Sequence, residues 1–162
     1  MNLDPLLQAS PVIQIHAAAA IVAMILGPLS IFRRRRDRLH KIVGYVWISA
    51  MLVAATSALF IAELRLIGRF SPIHLLTLLV FWSVWRAITL VRAGNFTGHS
   101  RAMKSLYVQA LGIAGLFTLL PGRIISDVLF ASAPWLGFAG VATLMVLAYA
   151  ARVSFNRRST VA

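Results

Sequence analysis

Long uncharged, apolar runs alternate with short charged connectors along this chain. Residues 11–32 and 42–62 contain no Asp, Glu, Lys or Arg. A helix needs about 20 apolar residues to cross the roughly 30 Å hydrocarbon layer of a bilayer. The pattern therefore predicts an all-α, polytopic transmembrane helix bundle with five spans, at approximately 11–32, 42–62, 72–92, 103–122 and 134–152.

The composition agrees with a membrane protein. Hydrophobic residues make up 60% of the 162 residues and charged residues only 12%, whereas soluble domains carry about 25% charged residues. We expect a single transmembrane domain over residues 1–162. The first apolar run follows no positive segment and is too long for a signal peptide, so it is interpreted as an uncleaved span. The absence of cysteine excludes disulfides and thiolate ligands.

Basic residues predict the orientation of the bundle. Most of the sixteen Lys and Arg residues fall in the first connector, residues 33–41, in the third connector and in the C-terminal tail. Because positive residues stay cytoplasmic, the N-terminus should face out and the C-terminus in. The four arginines at 33–36 are interpreted as a topology anchor resting on anionic membrane lipid. Nucleic acid is not an expected partner, since no soluble face carries basic residues interleaved with aromatics.

Four histidines form the most informative pattern in the sequence. His16, His40, His74 and His99 occupy the first four spans in turn, alternating between outer and inner ends. Antiparallel packing of neighbouring spans pairs His16 with His74 and His40 with His99, near opposite faces. Two neutral imidazoles on facing helices can hold one haem iron, so all four are candidate cofactor and metal ligands, with one or two haem b as cofactor. A single interfacial histidine is also typical of a tolerated polar residue.

Arg86 lies within the third span, where a charge is costly and often functional. It could snorkel to the interface, pair with a haem propionate or bind an anionic substrate, so it joins the candidate cofactor-binding residues. Trp47 is expected at the inner interface. Small residues recur as Ala19, Ala23 and Gly27 on the first span and as Ala50, Ala54 and Ala58 on the second. Such seams favour close helix packing, are compatible with a homodimer and would leave room for a flat prosthetic group.

Several kinds of enzyme are excluded by what the spans lack. They contain no pair of carboxylates for acid–base catalysis and no glycine-rich loop for phosphate. No soluble domain is available for flavin or nicotinamide. We therefore name no catalytic residue. An oxidoreductase or electron carrier of the membrane, taking electrons from a quinol or another small-molecule reductant, stays open.

Four stretches of the chain resemble a known family. They are LHKIVGYVW, FSPIHLLTLL, RAITLVRAGNFTGHSRAMKSLY and AGLFTLLPGR, and they resemble the small bacterial membrane proteins of domain of unknown function 2306. The resemblance implies a multi-pass protein of the bacterial inner membrane and no established activity. More distantly, the histidines resemble those of ascorbate-reducible two-haem cytochromes b. That resemblance implies an outer haem on His16 and His74 and an inner haem on His40 and His99, although those cytochromes have six spans.

Three functions remain open from the sequence. The first is a b-type haem protein that carries electrons across or within the membrane. The second is a structural or assembly partner in a membrane complex, with no cofactor. The third is a metal-handling protein in which the histidines bind Zn, Cu or Ni; it is disfavoured because no span carries a carboxylate or cysteine.

Overall fold

The computed structural model is helical throughout its regular structure. It describes residues 3–33, 35–61, 72–120, 122–130, 133, 135–137, 139–144 and 146–147, and within these ranges no strand occurs. This confirms the all-α prediction.

Three helices are long and apolar enough to cross a membrane: Pro11–Ile31, Arg38–Ala58 and Leu75–Arg92. A fourth crossing is added if the strongly bent pair Ile124–Phe130 and Trp135–Leu144 forms one span. The described residues thus support a multi-pass membrane protein. They do not confirm a count of five spans or an orientation.

Local sequence signals set the ends of the first long helices. A short helix α1, Asp4–Leu7, precedes α2, Pro11–Ile31. Helix α2 begins with Pro11. A proline is tolerated there because N–H groups in the first turn have no hydrogen-bond partner within the helix. Helix α3, Arg38–Ala58, begins earlier than residue 42 because Asp37 caps it and accepts a hydrogen bond from the backbone N–H of His40. Helix α4 covers Pro72–Arg92, as the sequence predicts.

The segment predicted as a span at 103–122 is helical over residues 96–118. It consists of α5, Phe96–Leu106, a π-helical segment, Tyr107–Gly112, and α6, Ile113–Thr118. The helix begins before residue 103 because Asn95 caps it, after a turn at Gly94 with φ of 74°. A prediction from uncharged, apolar runs does not include a first turn made of polar residues. Helix α7 covers Ile124–Phe130, and the span predicted at 134–152 lies partly outside the described residues.

The chain divides into two compact units, Ala9–Ala114 and a unit of Met1–Gln8 with Gly115–Ala162. In the first unit α2 packs on α3, α3 on α4 and α4 on α5, while the π-helical segment contacts α2 and α4. In the second unit α1 packs on α7. A single domain over residues 1–162 stays a prediction.

The core of the first unit is apolar and closely packed. Its buried members are Ala23, Trp47, Ala50, Met51, Ala55, Val80, Val84, Ala87, Met103, Leu106, Ala110 and Leu111. Trp47 is only 1% exposed, so its prediction as an interfacial aromatic is wrong. Its indole packs at 6.3 Å from the ring of Tyr107, inside the bundle.

Gly27 makes room for those two rings. A Cβ atom at this position would overlap the Tyr107 ring and lie 3.3 Å from Nε1 of Trp47. The Tyr107 hydroxyl also donates a hydrogen bond to the Met24 carbonyl, at 3.2 Å. At Gly27 the small-residue seam of α2 is therefore filled by side chains of the protein. Further along, the buried Ala23, Ala50 and Ala54 serve close helix packing.

Candidate functional site

Two histidines meet at one end of the first unit, which we call the basic end and define by residues 33–41 and 95–104. His40 lies in the first turn of α3 and His99 in the first turn of α5. Both turns are fixed by capping side chains: Asp37 accepts from the His40 N–H at 3.0 Å, and Asn95 accepts from the Gly98 N–H at 2.8 Å. Capping therefore fixes where each imidazole leaves its backbone.

His99 has one ring nitrogen committed to the neighbouring helix. Its Nδ1 lies 2.9 Å from the carbonyl oxygen of Ala87 on α4. A carbonyl only accepts, so Nδ1 carries the proton. In a neutral imidazole this leaves Nε2 as the nitrogen with a free lone pair. The Ala87 carbonyl thus selects the tautomer whose Nε2 is able to bind a metal ion.

His40 has the opposite environment. Its Nδ1 is buried and has no hydrogen-bond partner. The His40 imidazole is close enough to His99 and to Arg36 for their charges to act on it. A buried polar atom without a partner costs about 1–3 kcal/mol and commonly marks an absent water, ion or ligand. His40 and His99 thus lie at the same end of the unit, near enough for their charges to interact, and Nδ1 of His40 has no partner among the described residues.

At the opposite end of the unit, His16 is held by α3. Its Nδ1 lies 2.9 Å from the Ala54 carbonyl oxygen and 3.1 Å from Oγ of Ser57. Ala54 is 14 residues beyond His40 on α3, so the two levels are about 21 Å apart along the helix. The backbone of His74 lies in α4, but its side chain is outside the described residues. Pairing of His16 with His74 therefore stays a prediction.

Arg86 lies on an exposed face of α4. Its guanidinium carbon is 5.3 Å from the centroid of the Trp82 ring, one turn earlier on the same helix. Trp82 and Trp85 are 52% and 62% exposed. Arg86 therefore has a cation–π partner on its own helix, and its contact with a cofactor stays a prediction.

Sequence reasoning missed a basic pocket beside the two histidines. This cavity, of about 420 Å³, is lined by Arg36, Phe96, Thr97, Ser100, Arg101 and Lys104. On α5 the lining residues recur at spacings of three and four, which is a signal for one helix face. Arg36 was missed because the arginines at 33–36 look equivalent in sequence, yet Arg33 is hydrogen-bonded to Asp37 while Arg36 stacks on Phe96.

Within the described ranges, no group of three or more His, Cys, Asp or Glu side chains is placed to hold a metal ion. Protein zinc sites use three or four such ligands. Among the described residues, two histidine side chains, His40 and His99, lie at the same end of the unit, and His16 lies at the other.

Comparison with known proteins places the chain in a family. No curated protein and no solved structure matches it, so the resemblance to two-haem cytochromes b is not supported. The family described as "Predicted membrane protein (DUF2306)" matches residues 13–151. The chain therefore belongs to the DUF2306 family of membrane proteins, as its sequence motifs indicated.

Proposed function

We propose that this protein is a b-type haem protein that carries electrons across or within the bacterial inner membrane, with its N-terminus outside and its C-terminus inside. In this proposal His40 and His99 hold the inner haem, and His16 and His74 hold the outer one. The observation that carries it is at the basic end. There His99 keeps Nε2 free, and the neighbouring His40 has a buried nitrogen without a partner.

The residues at the basic end fit such a group. His99 through Nε2 and His40 through a ring nitrogen would hold the iron of such a group. Arg36, Arg101 and Lys104 lie on the same side of the unit. They could form ion pairs with propionate carboxylates, as bidentate or single charge-assisted bonds.

When bound, haem supplies reversible one-electron chemistry at its iron. The chain's own residues set the conditions for it. The Ala87 carbonyl fixes the His99 ring and increases its basicity as a ligand. Buried Leu106 and Met103, on the helix that begins beside His99, keep water from the interior of the bundle.

The opposite end supplies a second level for the same chemistry. His16 has its Nδ1 on the Ala54 carbonyl, so its Nε2 is also the free nitrogen of a neutral ring. Two levels about 21 Å apart along α3 would divide the membrane into two shorter electron steps. Electrons would enter from a quinol or another small reductant and leave to an outer acceptor such as ferric iron, which each electron reduces to ferrous iron.

An absorption spectrum, reduced minus oxidised, of detergent-purified protein from haem-replete cells tests this function. We expect red protein, loss of the inner component in His40→Ala and His99→Ala, and loss of the outer component in His16→Ala and His74→Ala. Thr89→Ala is the matched control, since its exposed hydroxyl bonds to the Arg86 carbonyl of its own helix; every imidazole and both caps are kept, so its spectrum should persist. Colourless wild-type protein would refute the proposal.

A second candidate function is supported by the exposed face of α4. A charged residue inside a membrane normally faces a bundle interior or a water-filled cavity, yet Arg86 lies on an exposed surface beside Trp82 and Trp85. A membrane-embedded partner, including a second copy of this chain, would bury that face. Co-purification tests this function. A stoichiometric partner that is lost in Arg86→Gln but retained in all four His→Ala variants would favour it over electron transfer.

A further inference from the structure

We propose that the basic pocket at the start of α5 binds a phosphate group, carried by an anionic lipid headgroup or by a soluble phosphorylated compound. Three cationic side chains line it, Arg36 from the α2–α3 connector and Arg101 and Lys104 from α5. Arg36 is 65 and 68 residues from Arg101 and Lys104 in the sequence, so the fold assembles the three cations. The proposal uses no imidazole and does not rest on the proposed function, although a bound haem would compete for the same cations through its propionates.

The side chains of the pocket are arranged to bind an anion at a defined position rather than through general charge attraction. The guanidinium carbon of Arg36 lies 4.3 Å from the centroid of the Phe96 ring. Stacking on the ring face leaves the N–H edges of the guanidinium free for hydrogen bonds to oxygen. The hydroxyls of Thr97 and Ser100 add two further donors to the lining.

No carboxylate among the described residues lines the pocket. The nearest acid in sequence is Asp37, and Arg33 already bonds to it at 3.1 Å. Because Arg33 already pairs with Asp37, this carboxylate does not neutralise the positive charge of Arg36. The pocket also lies at the N-terminus of the 11-residue helix α5, whose dipole places partial positive charge at that end.

The size and chemistry of the cavity suit phosphate. The pocket is an open groove of about 420 Å³ with mostly exposed lining residues, so a phosphate group with several attached atoms can enter it from the surface. Arginine recognises phosphate through paired N–H bonds, and lysine does so as a point charge. Basic pockets between membrane helices are known to take lipid headgroups.

The unfolding temperature of the purified chain in dodecyl maltoside distinguishes a lipid headgroup from a soluble phosphorylated compound. One arm titrates palmitoyl-oleoyl phosphatidylglycerol against phosphatidylcholine, and the other titrates inorganic phosphate against chloride at equal ionic strength. Stabilisation by phosphatidylglycerol alone assigns a lipid headgroup, and stabilisation by inorganic phosphate assigns a soluble compound. If neither raises the unfolding temperature above its matched reference, the proposal is overturned.

Substitutions locate the effect in the pocket. Arg36→Gln, Arg101→Gln and Lys104→Gln should each raise the half-saturating concentration about fivefold, the loss expected for one cation near an anionic surface. Arg38→Gln and Lys41→Gln are matched controls, because both residues are exposed at the same end but outside the lining. An equal increase of the half-saturating concentration in the controls would show that any nearby positive charge has the same effect, and it would refute the proposed site.

Two further variants keep the test decisive. Ser100→Ala removes one donor without changing charge and should weaken binding even where a charge variant fails to fold. His99→Ala, which would abolish inner haem binding, should keep the response to phosphatidylglycerol or phosphate. A response that is absent in haem-bound wild type and appears only in His99→Ala, after the haem spectrum is lost, would assign the pocket to propionates and refute a phosphate site in the native protein.

Discussion

The two ends of the first unit hold cavities of similar volume and opposite character. The cavity at the far end from the basic pocket, about 400 Å³, is lined mainly by apolar residues: Val12, Ile15, Leu52, Val53, Thr56, Ser57 and Phe60. The basic pocket, about 420 Å³, is lined by three cations and two hydroxyls. The histidines differ in the same way, since His16 is bonded to Ala54 and Ser57 while His40 has a buried nitrogen without a partner.

The two ends differ in how far their polar groups are paired within the protein. At the far end, Nδ1 of His16 bonds to the Ala54 carbonyl and to Ser57 in mainly apolar surroundings, which holds the ring in place. At the basic end, Nδ1 of His40 is buried without a partner among the described residues, which is unfavourable unless another molecule pairs with it. Arg36, Arg101 and Lys104 are exposed to solvent, so their charge is screened and is available to an anion.

The largest effect on stability should come from the packing between the two ends. Gly27→Ala places a Cβ atom into the Tyr107 ring, and overpacking of this kind destabilises by about 1–3 kcal/mol. The measurement is the heat-unfolding midpoint in detergent. Gly44→Ala is the matched control: its Cβ would be 3.7 Å from Ser30 Oγ, and replacing a mid-helix glycine should stabilise by about 0.5–1 kcal/mol. Equal behaviour of both variants would contradict the close approach at Gly27.

A smaller effect should mark the far end. Ser57→Ala removes a hydroxyl that lies 3.1 Å from His16 Nδ1 and donates to a backbone carbonyl of its own helix, so we expect a loss of about 0.5–1.5 kcal/mol. The Ala54 carbonyl still fixes the His16 tautomer, so any spectral component of His16 should stay. Thr89→Ala is the control, because its exposed hydroxyl bonds to the Arg86 carbonyl on its own helix. No difference between the two variants would show that Ser57 contributes nothing to this end.

The smallest effect should appear in the connector of the basic end. The hydrogen bond from Arg33, followed by that from the His40 N–H, lowers the pKa of Asp37 well below its ordinary 3.8. A depressed folded-state pKa contributes stability above the ordinary pKa, and this contribution is lost as pH falls from about 4 toward the folded value. Because Asp37 is exposed, solvent screens the pair and the change is slight. Between pH 6 and pH 3 the unfolding midpoint should fall less in Asp37→Asn than in wild type. Equal falls in the two proteins would show that the Arg33–Asp37 pair does not cause the pH dependence.

Much of the fold could be predicted from local pattern. Hydropathy gave the limits of Pro11–Ile31 and Pro72–Arg92 closely, because the need for about 20 apolar residues acts on each segment separately. It placed the start of the second span at residue 42 and that of the fourth at 103, or earlier near Gly98, whereas the helices begin at Arg38 and Phe96, because their first turns and the caps Asp37 and Asn95 are polar. The number of spans could not be settled in this way, since a bent pair of short helices has the same composition as one straight span.

The sequence by itself determined an all-helical membrane protein and the order of the histidines along its helices. Only the tertiary structure decided that His99 bonds to Ala87, that Trp47 lies inside the bundle, and that Arg33 and Arg36 have different partners. The reason is physical. Hydropathy and capping depend on residues within a few positions of each other. Hydrogen bonds and ring contacts between helices depend on how each helix is rotated against its neighbours, which is set by the packing of the whole unit.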